Sequence, residues 1–280
     1  MFPNCACGAQ SFDRTRTIRG IGGKSVLLRC SSCGLYRWQP PAGFSRGYSP
    51  KEYKPEGRAY FDTTPEQEKS WANDILSTNS LGIAWRIARL YQGSIKLLDC
   101  GCAFGHLLGS IRTLKPDWEL QGVEINPAYV SFARRCGFTV HEGEISKVLA
   151  RYDSDFDVIV LTEVLEHIDS PSRVLTHVRQ SLKGGGYVVL TVPNLQSLVD
   201  LHLLGERSSL SIPYQHLWFF TTRTLSNLLR ASGFETVDCR TLSLYAEKAK
   251  GCRHYLGKLA NIILDMTRFG ASIFFIGRRL

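Results

Sequence analysis

Residues 98–106 read Leu-Asp-Cys-Gly-Cys-Ala-Phe-Gly-His. They close the apolar run IKLLDC (95–100) and open into HLLGSI, so the stretch marks a strand turning into a helix. Outward from it the same alternation repeats. Strand-like runs recur as WELQGVEI (118–125), FTVHEG (138–143), FDVIVLT (156–162), YVVLTVP (187–193), FETVDCRTL (234–242) and ASIFFIG (271–277), with helix-like segments between them. Helix punctuation agrees. Asn126-Pro127 supplies an N-cap and a first helical residue, with Gly137 beyond the helix. Asp169-Ser170-Pro171 does the same, with Gly184 as its expected close. Thr221 or Thr222 starts a helix carrying Leu225, Leu228 and Leu229, which ends at Gly233. Seven strands with helices between them predict a doubly wound α/β sheet, a class that binds ligands beyond the carboxyl ends of its strands.

The first strand end narrows the ligand. Gly101 and Gly105 let the backbone pass close to a bound molecule with no Cβ in the way. A dinucleotide loop carries G-x-G-x-x-G at this place. Here the pattern is G-x-x-x-G, with Ala103 at its centre and Asp99 two residues ahead. A carboxylate aimed into the pocket repels a pyrophosphate and suits an ammonium-bearing ligand. Glu124, at the end of the second run, can accept from both hydroxyls of a ribose. Glu144, in EGEIS after the third, can accept from an adenine amino group. Ammonium, ribose and adenine together describe S-adenosylmethionine.

LLDCGCAFGHLL, GVEINPAYV, FDVIVLTEVLEHIDSP, LKGGGYVVLTVPN and HLWFFTTRTLSNLLRASGF, in that order, resemble the class I S-adenosylmethionine-dependent methyltransferases. The likeness covers about residues 94–240 and the closing strand at 271–278. The last three blocks are similar to the branch holding quinone-pathway and sugar or glycan O-methyltransferases. The resemblance implies a seven-stranded Rossmann-like sheet of order 3-2-1-4-5-7-6 with strand seven antiparallel. It also implies cofactor contacts from Asp99, Gly101, Cys102, Gly105, Glu124, Ile125, Glu144, Ile145 and Thr162. Ala103, where glycine is usual, and Cys100, where an aliphatic residue is common, depart from the pattern.

Methyl transfer from a sulfonium is an in-line displacement, and a hydroxyl nucleophile must lose its proton. The fourth strand ends in Thr162-Glu163-Val164-Leu165-Glu166-His167. His167 is a general-base candidate on pKa grounds, and Glu163 is a rival able to orient cofactor or substrate. His216, in YQHLWFF, is a second base candidate. Its neighbours Tyr214, Trp218, Phe219 and Phe220 are readable as a substrate wall, or as core for Phe219 and Phe220. Asn194, ending the VPN turn, is a candidate substrate contact or simply a favourable turn residue. Cys100 and Cys102 read as small packing residues.

Nine cysteines is an odd number, and MFPNCACG lacks the basic start and apolar core of a signal peptide, so a disulfide framework is not expected. Four of them fall early, as Cys5-x-Cys7 and Cys30-x-x-Cys33. Four thiolates around Zn²⁺ form a closed structural site with no open position for catalysis. SFDRTRTI (11–18) and VLLRC (26–30) read as short strands between the two pairs. A segment of about 40 residues has too little core to hold itself together, so a metal would be its main stabiliser. Several members of the methyltransferase branch carry such a zinc segment, which the first pair matches as CxC instead of CxxC.

The expected organisation is a zinc-ribbon-like segment at 1–38, a linker and helical region at 39–93, and an S-adenosylmethionine-binding domain at 94–280. The linker QPPAGFSRGYSPKEYKPEGRAY (39–60) is rich in proline and glycine, and a helix follows from Thr64-Pro65 with Trp71, Ile75, Leu81, Trp85 and Tyr91 as apolar positions. Hydrophobic residues at 44% and charged residues at 21% exclude a disordered or coiled-coil chain. No apolar run approaches the roughly 18–20 residues of a membrane span, and a cytoplasmic protein is expected. The net charge of +9 is uneven: +7 over residues 1–60, −4 over 61–239 and +6 over 240–280. Leu256, Leu259, Ile262, Ile263 and Met266 recur at helical spacing among Lys248, Lys250, Arg253, Lys258 and Arg268, which suits a docked lid helix and leaves a membrane-proximal substrate open. The leading expectation is O-methylation of a small-molecule or glycan acceptor. A nucleic-acid or protein methyltransferase gripping its substrate with the basic ribbon is the rival. Methylation of base amino groups would call for an Asn- or Asp-Pro-Pro-aromatic turn where TEVLEH stands. A non-catalytic binding protein would have lost the cofactor acids, and a nicotinamide oxidoreductase would show G-x-G-x-x-G.

Overall fold

A computed structural model describes residues 5–20, 23–39, 78–197, 216–242 and 267–280. The linker at 40–60, the helix start at Thr64, Tyr214 and the amphipathic segment over 245–266 lie outside these residues. Strands β1 (Phe12–Gly20), β2 (Gly23–Cys30) and β3 (Tyr36–Gln39) come first, then helix α1 (Thr78–Ala88). The alternating body follows: β4 (Lys96–Cys100), α2 (His106–Leu114), β5 (Glu119–Glu124), α3 (Pro127–Arg135), β6 (Thr139–Glu142), α4 (Ile145–Leu149) and β7 (Phe156–Thr162). A 3₁₀ turn (Leu165–His167), α5 (Pro171–Ser181), β8 (Leu182–Pro193), β9 (Trp218–Phe219), α6 (Thr222–Ala231), β10 (Phe234–Leu242) and β11 (Ser272–Arg279) complete it.

Seven of these strands form one sheet in the order β10-β11-β8-β7-β4-β5-β6. Counted along the body, that is 3-2-1-4-5-7-6 read from its other edge, as the resemblance implies. The β4–β5, β4–β7 and β5–β6 pairs are parallel, and the last strand, β11, is antiparallel to β10. Leu97, Leu98, Val158, Ile159 and Val160 are fully buried, as central parallel strands covered on both faces require.

The chain divides into two compact units, one made of 46–161 with 180–188, the other of 1–45, 162–179 and 189–280. In the first, Asn126 caps α3 by accepting from the Ala128 N–H at 2.9 Å, with Pro127 at the first helical position. Gly122 lies in β5 against Cys102, whose Sγ would stand 2.5 Å from a Cβ added there. In the second unit, Thr221 and Thr224 form a reciprocal capping box on α6.

Gly184 does not close a helix. Helix α5 stops at Ser181, and β8 begins at Leu182 and runs through Gly184–Gly186. At Gly186 an added Cβ would meet the Asp157 carbonyl oxygen at 2.9 Å, so this glycine serves a close backbone approach. Asn194 is a staple and not a substrate contact. It is buried, its amide nitrogen donates to the Arg268 and Gly270 carbonyls at 3.1 and 2.8 Å, and its oxygen accepts from the Gln196 N–H. Trp218, Phe219 and Phe220 are all buried. For Trp218 the substrate-wall reading is overturned: its indole N–H donates to the Ile168 carbonyl at 2.9 Å.

A second sheet was not legible in the sequence. Its order is β1-β2-β3-β9, so β3, beside the β1–β2 hairpin, pairs with a two-residue strand from far along the chain. Tyr36 faces Phe219 and Arg37 faces Trp218 in antiparallel register.

Candidate functional site

The loop after β4 bends back over β5. Gly101 and Cys102 N–H groups both donate to the Val123 carbonyl, at 2.7 and 3.1 Å, and the Ala103 N–H donates to Glu124 Oε2 at 3.0 Å. The loop takes left-handed backbone at Gly101 (φ 82°), Ala103 (φ 45°) and Gly105 (φ 79°). Gly105 also packs against the Phe138 ring, which an added Cβ would meet at 3.1 Å. Ala103 adopts a conformation that costs an L-residue about 1–2 kcal/mol, so this loop carries strain where glycine would relieve it.

Asp99 lies just ahead of the loop, buried, and its Oδ1 has no hydrogen-bond partner among the described residues. Burial, reinforced by the charge of Glu124, pushes its carboxyl up to about 7. A buried carboxylate oxygen without a donor is a costly feature, and an ammonium group supplies what it lacks. Glu124 Oε1 accepts from the Ile125 and Asn126 N–H groups at 2.8 Å each. With Ala103 on Oε2, three of its roughly four acceptor positions are taken, so room for about one hydroxyl remains where two were expected.

Of the other expected cofactor residues, Cys102, Glu144 and Ile145 lie in the first unit and Thr162 in the second. Cys102 turns its thiol into the sheet against Gly122, so it offers the cradle its backbone and not its sulfur. Glu144 stands at the head of α4, exposed, with its carboxylate 3.2 Å from the Lys147 ammonium. Ile145 is the first residue of α4 and Thr162 the last of β7, both half-buried.

The turn after β7 belongs to the second unit. Glu163 is held at φ 53°, its N–H donating to the Thr191 carbonyl and hydroxyl at 2.9 and 3.2 Å. Left-handed backbone at a non-glycine residue is a strain that persists where surroundings enforce it. The turn then brings Glu166 fully inside, a residue that the sequence reading passed over. Neither carboxyl oxygen meets a hydrogen-bond donor at ordinary geometry among the described residues. Burial, with the Glu163 charge second, raises its pKa well above the ordinary range. His167 Nε2 lies 3.8 Å from Glu166 Oε1, and the His167 and His216 rings sit 4.8 Å apart at 66°. One ligand atom from each of Glu166, His167 and His216 falls within 4.8 Å of the others. Such a group can close on a divalent cation or accept and pass on a proton. The sequence held one signal for Glu166: a carboxylate between Leu165 and His167 on a turn whose neighbours are apolar.

The four cysteines converge. Cys5 Sγ is 3.5 Å from Cys33 Sγ, Cys7 Sγ is 3.6 Å from Cys30 Sγ, and all four sulfurs lie within 4.8 Å of one another. Tetrahedral zinc with bonds of about 2.3 Å spaces its sulfurs by about 3.8 Å, so the donor set fits the ion. The Gly8 and Gly34 N–H groups close the two turns onto the Cys5 and Cys30 carbonyls. Burial pushes the Cys5 thiol up and that of Cys33 up to about 11. At Cys30 burial is outweighed by the Cys33 and Ser32 N–H groups, which bring it down to about 7.

Residues 54–238 match the methyltransferase domain family. The chain belongs to this S-adenosylmethionine-dependent methyltransferase family. Among curated relatives it is 26% identical over 176 residues to a ubiquinone biosynthesis O-methyltransferase of Paraburkholderia phymatum, covering 59% of this chain and 75% of that one. It is 32% identical to the enzyme of the same name from Roseobacter denitrificans and 31% identical to that of Cereibacter sphaeroides. These matches cover 51% and 53% of this chain but only 61% and 63% of the relatives' own lengths. Two solved structures share the fold: a SAM-dependent methyltransferase from Thermotoga maritima (TM-score 0.54, 20% identity, 77% of this chain, 96% of the other) and one from Archaeoglobus fulgidus (TM-score 0.52, 20% identity, 71% and 94%). S-adenosylmethionine is the cofactor of the family, and Asp99, whose Oδ1 has no partner among the described residues, and the Gly101–Gly105 loop fit it.

Proposed function

We propose that the chain transfers the methyl group of S-adenosylmethionine to a hydroxyl of a small-molecule or glycan acceptor. The observation that carries this reading is the paired imidazoles of His167 and His216 beside buried Glu166, because an alcohol or phenol acceptor needs a proton acceptor whereas a thioether or free amine does not. The names of the three curated relatives given above, each a ubiquinone biosynthesis O-methyltransferase, support it.

The bound cofactor supplies an electrophilic methyl on a sulfonium. Asp99 binds the cofactor ammonium, Glu124 a ribose hydroxyl, and Glu144 with Ile145 the adenine edge, while Gly101, Cys102 and Gly105 supply backbone. Cofactor contact falls to Thr162 as well. His167 or His216 would take the acceptor hydroxyl's proton, and Glu163 would orient the reacting groups. A zinc ion held by Cys5, Cys7, Cys30 and Cys33 would have a structural role, since four thiolates leave no open position.

The test is transfer of an isotope-labelled methyl from S-adenosylmethionine to panels of catechols, phenols and sugars, with product mass and bond identified. His167→Ala and His216→Ala should lower kcat by about 10²–10⁴-fold for the one that acts as base, with cofactor affinity unchanged. Labelling of amines or nucleic acid with none of hydroxyls would contradict the reading.

A further inference from the structure

The cysteine segment is physically continuous with the segment that carries His216. Cys33 lies three residues before β3, and the Cys30 N–H donates to the Leu35 carbonyl at 2.8 Å, so the thiolate knuckle sets where β3 begins. Strand β3 then pairs with β9, and the Trp38 N–H donates to the Leu217 carbonyl at 3.1 Å. From there the Leu217 N–H donates to the Glu166 carbonyl at 2.8 Å and the Trp218 indole to the Ile168 carbonyl at 2.9 Å. The Ser172 hydroxyl, on α5, donates to the Ala6 carbonyl inside the cysteine knuckle. His216 is the residue immediately before this seam, and Glu166 and His167 lie on its far side.

The packing repeats the connection. The small core of this second sheet is Leu27, Trp38 and Phe219, with Tyr36 and Leu195 against it. Leu27, Tyr36 and Trp38 come from the cysteine segment and Phe219 from β9. A core of this size cannot order its strands unaided. A metal bound there would therefore be the main source of order for β2 and β3, and β3 contributes one of the walls that hold residues 217–219.

We propose that metal binding at Cys5, Cys7, Cys30 and Cys33 positions the acceptor-side histidine His216 through the β3–β9 seam, making catalytic competence dependent on zinc while cofactor binding is not. Trp38 and Tyr36 are then positioning residues. The inference rests on the assignment of His216 to the acceptor side, but its structural half does not need methyl transfer to be seen.

The experiment is hydrogen exchange of the full chain, zinc-replete and after removal of zinc by chelation verified by elemental analysis. Peptides covering 216–220 and 164–168 should exchange about tenfold faster without zinc, while peptides covering β4 and β5 and the affinity for S-adenosylmethionine stay as they were. Trp38→Ala, with all four cysteines present and one zinc retained, should loosen 216–220 in the same way. With an acceptor in hand it should show a lower kcat or higher acceptor KM at unchanged cofactor affinity. Unchanged exchange at 216–220 on zinc removal would overturn the proposal. So would an equal rise everywhere, which would make the zinc a general stabiliser. If the seam responds to zinc but no hydroxyl is ever methylated, the functional assignment fails and the coupling stands.

Discussion

Replacing Asp99 by Asn tests the cofactor pocket through its pH dependence. With no cofactor bound, the Asp99 carboxyl is pushed up to about 7 by burial and by Glu124. Pairing with an ammonium requires the ionised form. At pH 6 about one molecule in ten carries it and at pH 7.4 about seven in ten, so apparent affinity should fall about eightfold between the two. The window stays below about pH 8, where an α-amino group of the ligand loses its own proton. Asp99→Asn keeps the side-chain volume and removes the charge. It should cost about 1.5–3 kcal/mol of binding at pH 7.4 and abolish the pH slope. Folding should move in the opposite sense. A folded-state pKa above the ordinary 3.8 means that the native state holds more protons than the unfolded chain between about pH 4 and 7, so this group's contribution to stability is present at acid pH and lost as pH rises through that window. The ceiling is about 4 kcal/mol. Asp99→Asn lacks that loss and should unfold at higher urea than the wild type at pH 7.4 without cofactor. Calorimetric titration at pH 6 and 7.4 and urea unfolding provide both readings. A wild-type affinity equal at the two pH values, or the same slope in the Asn variant, would refute the reasoning.

Three other perturbations follow from local geometry. Ala103→Gly relieves left-handed backbone at φ 45° and should raise stability by up to about 1 kcal/mol, after the entropy that glycine adds to the unfolded chain; a lower midpoint in denaturant would count against strain in the loop. Gly122→Ala forces a methyl to 2.5 Å from Cys102 Sγ and should cost about 1–3 kcal/mol, with most of it restored in the double variant Gly122→Ala/Cys102→Ala. Elemental analysis of protein purified without chelator should give one zinc per chain, and Cys30→Ser should lower that content; zero metal in the wild type would retire the zinc assignment.

The fold was legible to the extent that it is local. Asn126-Pro127 and Thr221 are signals that the helix termini then obeyed, and buried parallel strands leave apolar runs that need no partner to be recognised. What could not be read was non-local or invisible to periodicity. Two residues, Trp218 and Phe219, carry no alternation, so their pairing with β3 leaves no trace in the sequence. Gly184 looks like a helix terminus, yet it lies in β8, where Gly186 serves a backbone approach to Asp157 that only the tertiary structure creates. The site divides likewise. Asp99 announced itself by its position before the glycine loop. Glu166 left only the weak signal of its apolar neighbours, because a Glu in VLEH reads as surface until the turn is seen to carry it inside.

The most direct measurement is calorimetric titration of the folded, zinc-replete chain with S-adenosylmethionine at pH 7.4. A dissociation constant in the micromolar range, about −8 kcal/mol, with one site per chain is the predicted result. No binding up to millimolar cofactor would contradict the assignment of the Asp99–Gly105 loop as its pocket.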